Sequence, residues 1–162
     1  MGMEEITVLV NATVLSNFGA VGAMELLREA VEGKGGTTQE VWEEYQRGVE
    51  LGKLPPTCLD WLPRLVMNEE ERRTFEGLCQ RLGKGEASCI AVAFHRGFTV
   101  ATDDRDARRI AQQMGLKVTG TLGILVHLVR AKRVSLEEAN RLLEGMAQRG
   151  FFSPVSDIAT LL

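Results

Sequence analysis

Two short β-branched runs, Ile6 to Val10 (ITVLV) and Phe98 to Thr102 (FTVAT), each give way at once to polar residues and then to helical spacing. That alternation limits the chain to α/β architectures. After the first run, Leu26, Leu27, Ala30 and Val31 form an apolar stripe that Gly33-Lys34-Gly35-Gly36 brings to a stop. Thr37-Thr38 reads as the end of a short extended segment and the cap of a helix from Gln39 to about Val49, with Val41, Tyr45 and Val49 four apart on one face. Leu51 to Pro63 holds three prolines and predicts an irregular surface connection. Asn68 caps a helix from Glu69 to about Leu82, and Gly83-Lys84-Gly85 separates it from an alanine-rich helix, Glu86 to His95. Beyond the FTVAT strand, a helix runs to about Met114 and Leu116 to Thr119 is a third strand candidate. Two further helices are expected, Ile124 to Ala131 and, behind the capping box that Ser135 opens, one to about Gln148. Strands alternating with helices predict a mostly parallel sheet covered on both faces.

A chain of 162 residues fits a single domain, 1–162, with a real core. Its 44% hydrophobic and 25% charged residues exclude disordered, fibrous and membrane classes. The opening MGMEEITVLV lacks the basic flank and long apolar core of a secretory signal, and no stretch reaches membrane-spanning length, so the cytoplasm is the expected compartment. Cys58, Cys79 and Cys89 are odd in number and widely spaced, which argues against a disulfide framework or a zinc site. They read as buried small hydrophobes. A net charge of −3 leaves only a local basic patch to hold any polyanion.

In open α/β sheets ligands bind beyond the carboxyl ends of the strands, so the residues following each strand matter most. Here these are Asn11, after the first strand, and Asp103, Asp104 and Asp106, after the second. Glu44 lies three residues beyond Val41, at the edge of its helix's buried face, and Glu86 occupies the first turn of its own helix. If the two strands are neighbours, Asn11, Glu44, Glu86 and Asp104 would form a set of oxygen ligands without histidine or cysteine. Such a set suits Mg²⁺ or Mn²⁺. A cation held there could polarise a phosphodiester and activate water, which is nuclease chemistry. Lys84, Arg105, Arg108 and Arg109 are near enough in sequence to steer a phosphate backbone.

Each of these residues also has a plain structural use. Asp103, Asp104 and Glu86 stand where helix caps and first-turn acids are favoured, and Asn11 could cap the helix that follows it. Glu40 and Glu43 read as a solvated face. Asp104 and Arg108 have the i,i+4 spacing of a helical ion pair.

The segments VLVNATVLSNFG, TTQEVWEEY, GKGEASCIAVAF and VATDDRDARRIAQQMGLKVTGTLGILVHLVRAKR, in that order, resemble the four acidic corners of the PIN-domain family, in particular its small prokaryotic branch related to VapC-type toxins. The resemblance implies a three-layer α/β/α sandwich around a central, mostly parallel sheet of four or five strands. It implies a metal-dependent ribonuclease acting on RNA, commonly a homodimer and often held by an antitoxin protein. Carried over by position, Asn11 stands where the family usually has aspartate, Glu44 matches the helix glutamate, Glu86 the third acid and Asp104 the fourth. Asp103 and Asp106 would support that last corner as further metal ligands, with Thr102 beside them toward the nucleic acid. Asn11 removes one negative charge from such a site. The domain is then a weakened nuclease, a non-catalytic PIN-like module that binds RNA or protein, or a nuclease tamed by an introduced change. A nuclease directed at DNA is a third function.

Overall fold

The computed structural model describes residues 5–162. Strands β1 (Val8–Val10), β2 (Gly35–Thr38), β3 (Arg64–Leu65), β4 (Thr99–Ala101) and β5 (Val118–Thr119) pair in parallel in the order β3-β2-β1-β4-β5. Chain order reverses at β1, so the switch point lies between β1 and β4, with Val10 opposite Ala101. The two strands taken from sequence as possible neighbours are neighbours.

Helix α5 (Lys84–Arg96) lies across β1, β2 and β4 and packs against α3 (Gln39–Glu50), α4 (Glu69–Leu78) and α6 (Arg105–Gln113). Helix α1 (Ala12–Ala20) packs with α2 (Met24–Val31), α7 (Thr121–Arg130) and α8 (Leu136–Gln148). The sheet between them completes the expected α/β/α sandwich. Its core joins Leu9 and Val10 of β1 to Phe18, Leu27, Ile90 and Leu125, all completely buried. Helix α5 shows how composition serves packing: Ala87, Ala91 and Ala93 are fully buried, and such small side chains let the helix lie close on the sheet. Among the described residues no helix is long and apolar enough to cross a membrane.

The structure departs from the sequence reading in five places, one of them the end of α4, which falls at Leu78 rather than about Leu82. Gly35 and Gly36 belong to a buried strand rather than a helix stop, because α2 passes so close that a Cβ on Gly35 would fall 2.5 Å from Val31 Cγ2. β3 is two residues long and emerges just beyond the proline-rich connection, where β2 offers it a ladder. Helices α5 and α7 begin at Lys84 and Thr121, two and three residues earlier than expected, because glycine N-caps at 83 and 120 let the chain enter the helix sooner. Cys58 is exposed; only Cys89 is fully buried.

One ion pair locks α4 to the end of α5. Glu71 is completely buried, and Arg96 donates to it through Nε (2.7 Å) and Nη2 (2.9 Å). The same carboxylate closes a reciprocal cap, accepting from the Asn68 N–H (2.9 Å) while the Asn68 side chain accepts from the Glu71 N–H (2.9 Å). The Arg96 hydrogen bonds hold the Glu71 pKa below its usual value of 4.5 despite burial. A depressed carboxyl pKa stabilises the fold above the unfolded pKa and stops doing so as pH falls through the lower folded value. Glu71→Ala is therefore expected to cost about 2–3 kcal/mol near neutral pH, less than for a wholly buried pair because a third of the Arg96 side chain is exposed. In denaturant titrations the gap to the parent should narrow below about pH 4.5.

Candidate active site

Asn11 is the first residue past β1 and is 1% exposed. Its N–H continues the β1–β4 ladder to Ala101 O (2.9 Å), its Oδ1 accepts from the Ala12 N–H (2.8 Å), and its Nδ2 donates to Thr102 Oγ1 (3.1 Å). Thr102 is the first residue past β4 and is completely buried. Its hydroxyl also accepts from the Asp104 N–H (3.2 Å) and lies 3.4 Å from Thr13 Oγ1. Two accepted bonds use both lone pairs, which leaves the Thr102 proton for Thr13. Thr102 therefore fixes the corner from within, and the expectation that it contacts nucleic acid is corrected by its burial.

Asp104 caps α6, one carboxylate oxygen accepting from the Ala107 N–H (2.8 Å). The capping and the chemical readings are compatible, because the carboxyl group also meets Glu86 from the first turn of α5. The Glu86 pKa is pushed up to about 7. Burial is the main cause, followed by the negative charges of Asp104 and Glu44 and by a hydrogen bond to Asp104 that only protonated Glu86 can donate; the Gly83 N–H opposes them. Glu44 on α3 completes the group. Its side chain is exposed overall, yet burial of the carboxyl raises its pKa, with Arg47 pulling the other way. A Cβ on Gly85 would fall on Glu44 Oε1, so glycine at that point of α5 is what lets the Glu44 carboxylate sit beside Glu86.

The other expected ligands are placed elsewhere. Both oxygens of Asp103 are taken: Oδ1 accepts from the Thr121 N–H (2.8 Å) and Oδ2 from Thr121 Oγ1 (2.5 Å) and Asn17 Nδ2 (2.9 Å). It caps α7 and ties it to α1. Asp106 is exposed and pairs with Arg109 at 3.3 Å. Arg108 does not pair with Asp104; its Nη1 donates to the carbonyls of Thr102 (2.8 Å) and Thr119 (3.0 Å), bracing the ends of β4 and β5. Lys84 and Arg105 are exposed. Glu40, read as solvated, has one carboxylate oxygen buried without a partner. Asn17, Thr13 and Thr121 were missed, for nothing in their spacing marks them; only the fold brings them against Asp103 and Thr102.

Among the described residues no three His, Cys, Asp or Glu side chains are gathered closely enough to chelate one ion. The donors still fit a hard cation in a partly hydrated mode, since Mg²⁺ is usually held by one or two carboxylates and keeps several waters. Glu86 and Asp104 supply that pair, at a point where burial and mutual repulsion disfavour their negative charge. Cys89 behind them has its thiol pushed up to about 12 by burial, so it offers no thiolate.

A carboxyl raised to about 7 takes up a proton on folding between the unfolded and folded pKa values, so its contribution to stability is lost as pH rises through about 7. Glu86→Gln removes that loss. In chelator, the variant is expected to melt above the parent at alkaline pH and to converge with it below about pH 4.5, the ordinary Glu value. Thermal unfolding across this range reads the effect.

A family model described as a PIN domain matches residues 7–162. No curated protein matches the sequence. The match extends from the start of the first strand to the last residue of the chain and takes in every corner of the site. The chain thus belongs to the PIN-domain family, whose members are generally nucleases.

Proposed function

We propose that the protein is a Mg²⁺- or Mn²⁺-dependent endoribonuclease of reduced strength. The observation that carries this reading is the meeting of the Glu86 and Asp104 carboxyl groups at the switch point, with Glu44 beside Glu86 and Asn11 joined to the Asp104 corner through Thr102. Such a pair of carboxyls is unfavourable in isolation and becomes useful when a cation takes the place of the proton. When bound, the ion would supply Lewis-acid activation of the phosphodiester and of water. Glu86 and Asp104 would hold it, Glu44 would add negative charge from α3, and Asn11 would turn a neutral amide oxygen toward it. Thr102 keeps Asn11 and the start of α6 in place, and Asp103 fixes α7 behind them. Glu86, near pH 7 in its titration, is suited to accept or return a proton.

One observation favours a second reading, a binding module without catalysis. The Asn11 amide donates to Thr102, a bond that a carboxylate could not donate. The network is thus matched to asparagine. Association with an antitoxin or with a second copy of the chain belongs to the same proposal, and sedimentation alone and with a candidate antitoxin tests both.

Cleavage of labelled single-stranded RNA, and of matched DNA, with Mn²⁺, with Mg²⁺ and with chelator decides between the readings. Asn11→Asp is expected to raise metal-dependent RNA cleavage about tenfold or more, since ligand-shell changes are worth roughly 10–100-fold. Asp104→Ala should lower it by about 100-fold or more, the upper end of that range being the least that loss of a ligand costs. No cleavage by any folded form, Asn11→Asp included, selects the binding module, and preferential cleavage of the DNA selects a DNA nuclease.

A further inference from the structure

Past α8 the chain turns at Gly150 and presents Phe151 and Phe152 in succession. Phe151 packs against the core, whereas Phe152 is 98% exposed, the most exposed of the large apolar side chains described. Phe152 stands on the rim of a cavity of about 780 Å³. The same cavity is lined at the carboxyl edge of the sheet by Asp103 and Arg105, which flank Asp104 in sequence, and by Arg108. A volume within the roughly 300–1,000 Å³ range of small-molecule sites can hold a nucleotide.

The charge on this wall is positive. Arg105 forms no ion pair among the described residues, and neither does Arg108, whose guanidinium is pinned by two carbonyls. The one acid, Asp103, offsets one of these two positive charges and leaves the other uncompensated. On the other side of Phe152 a second cavity of about 1080 Å³ is lined by Glu137, Glu144 and Asp157, with Arg141 the single cation. A phosphate backbone is attracted to the first side and repelled from the second.

From this we infer that Phe152 is a stacking platform for one base of a single-stranded RNA, with the adjoining phosphate on Arg105 and the strand leading from there to the Glu86 and Asp104 pair. An open aromatic face and an unpaired guanidinium lining one cavity are the combination that binds single strands without reading their sequence. The platform rests on the nuclease reading for its substrate, but its binding is separable from cleavage.

The test uses equilibrium binding of a fluorescent single-stranded RNA to the full chain carrying Asp104→Ala, in chelator, so that cleavage is silent. In that background Phe152→Ala is expected to weaken binding about tenfold, the ordinary effect of removing one stacked base. Phe152→Trp should bind at least as well as phenylalanine, Phe152→Leu as poorly as alanine, and Arg105→Ala should weaken binding and flatten its salt dependence. Melting temperatures should stay with the parent, since Phe152 is not part of the core. The platform is overturned if Phe152→Ala binds RNA as tightly as its parent, if leucine serves as well as tryptophan, or if the Asp104→Ala protein with Phe152 intact binds no RNA. Phe152-dependent binding without cleavage by any catalytically intact form removes the nuclease reading alone; cleavage with Phe152-independent binding removes the platform alone.

Discussion

The parallel pairing of β1 with β4 is the constraint on which the carboxyl edge of this protein depends. Because Val10 and Ala101 are partners in the ladder, the next residues on the two strands, Asn11 and Thr102, are forced together in a place without water. A buried hydroxyl must find partners there, and Thr102 finds them in Asn11, the Asp104 N–H and Thr13. With both lone pairs and its proton committed, Thr102 couples the first turn of α1 to the first turn of α6. A displacement at one corner is then felt at the others.

Around this fixed point the protein accepts an electrostatic cost. Gly85 makes room for the Glu44 carboxylate, and α5 brings Glu86 to Asp104, so acidic groups meet where burial already disfavours charge. The surrounding structure offsets that cost at a distance. The buried Glu71–Arg96 pair and the Asn68 cap fasten α4 to the far end of α5, and the alanine-rich face of α5 fixes the same helix on the sheet. The acidic first turn of α5 thus belongs to a helix anchored at its last turn.

Much of this was legible in the residues because local signals agreed with the fold. The β-branched runs and the cap at Asn68 each have a local physical cause, and the structure keeps both; the capping box expected at Ser135 forms at Asn68 instead. Signals that arise only from packing were not legible. Gly35 and Gly36 have weak strand preference, and only the approach of Val31 and Ile6 explains why glycine stands there. Asp103 and Asp104 are adjacent and identical in chemistry, yet one serves α7 and the other meets Glu86, a division set by the direction of the chain as β4 enters α6. Thr102 was placed toward the nucleic acid by family resemblance alone, and the burial of that strand end could not be seen without its neighbours.

Position 11 shows how the fold and the proposed chemistry bear on each other. An aspartate there would add a negative charge to the corner that Glu86 and Asp104 share, raising the repulsion that already pushes the Glu86 pKa up. It would also need the Thr102 proton, which is now directed to Thr13. Asparagine avoids both costs, and for a nuclease the consequence is a weaker hold on the cation. A site that attracts its metal less strongly must draw more of its substrate affinity from groups that touch the nucleic acid directly. That need falls on the cationic and aromatic wall beyond Asp104, where Arg105 and Phe152 are exposed and where two arginines outweigh the single acid, Asp103.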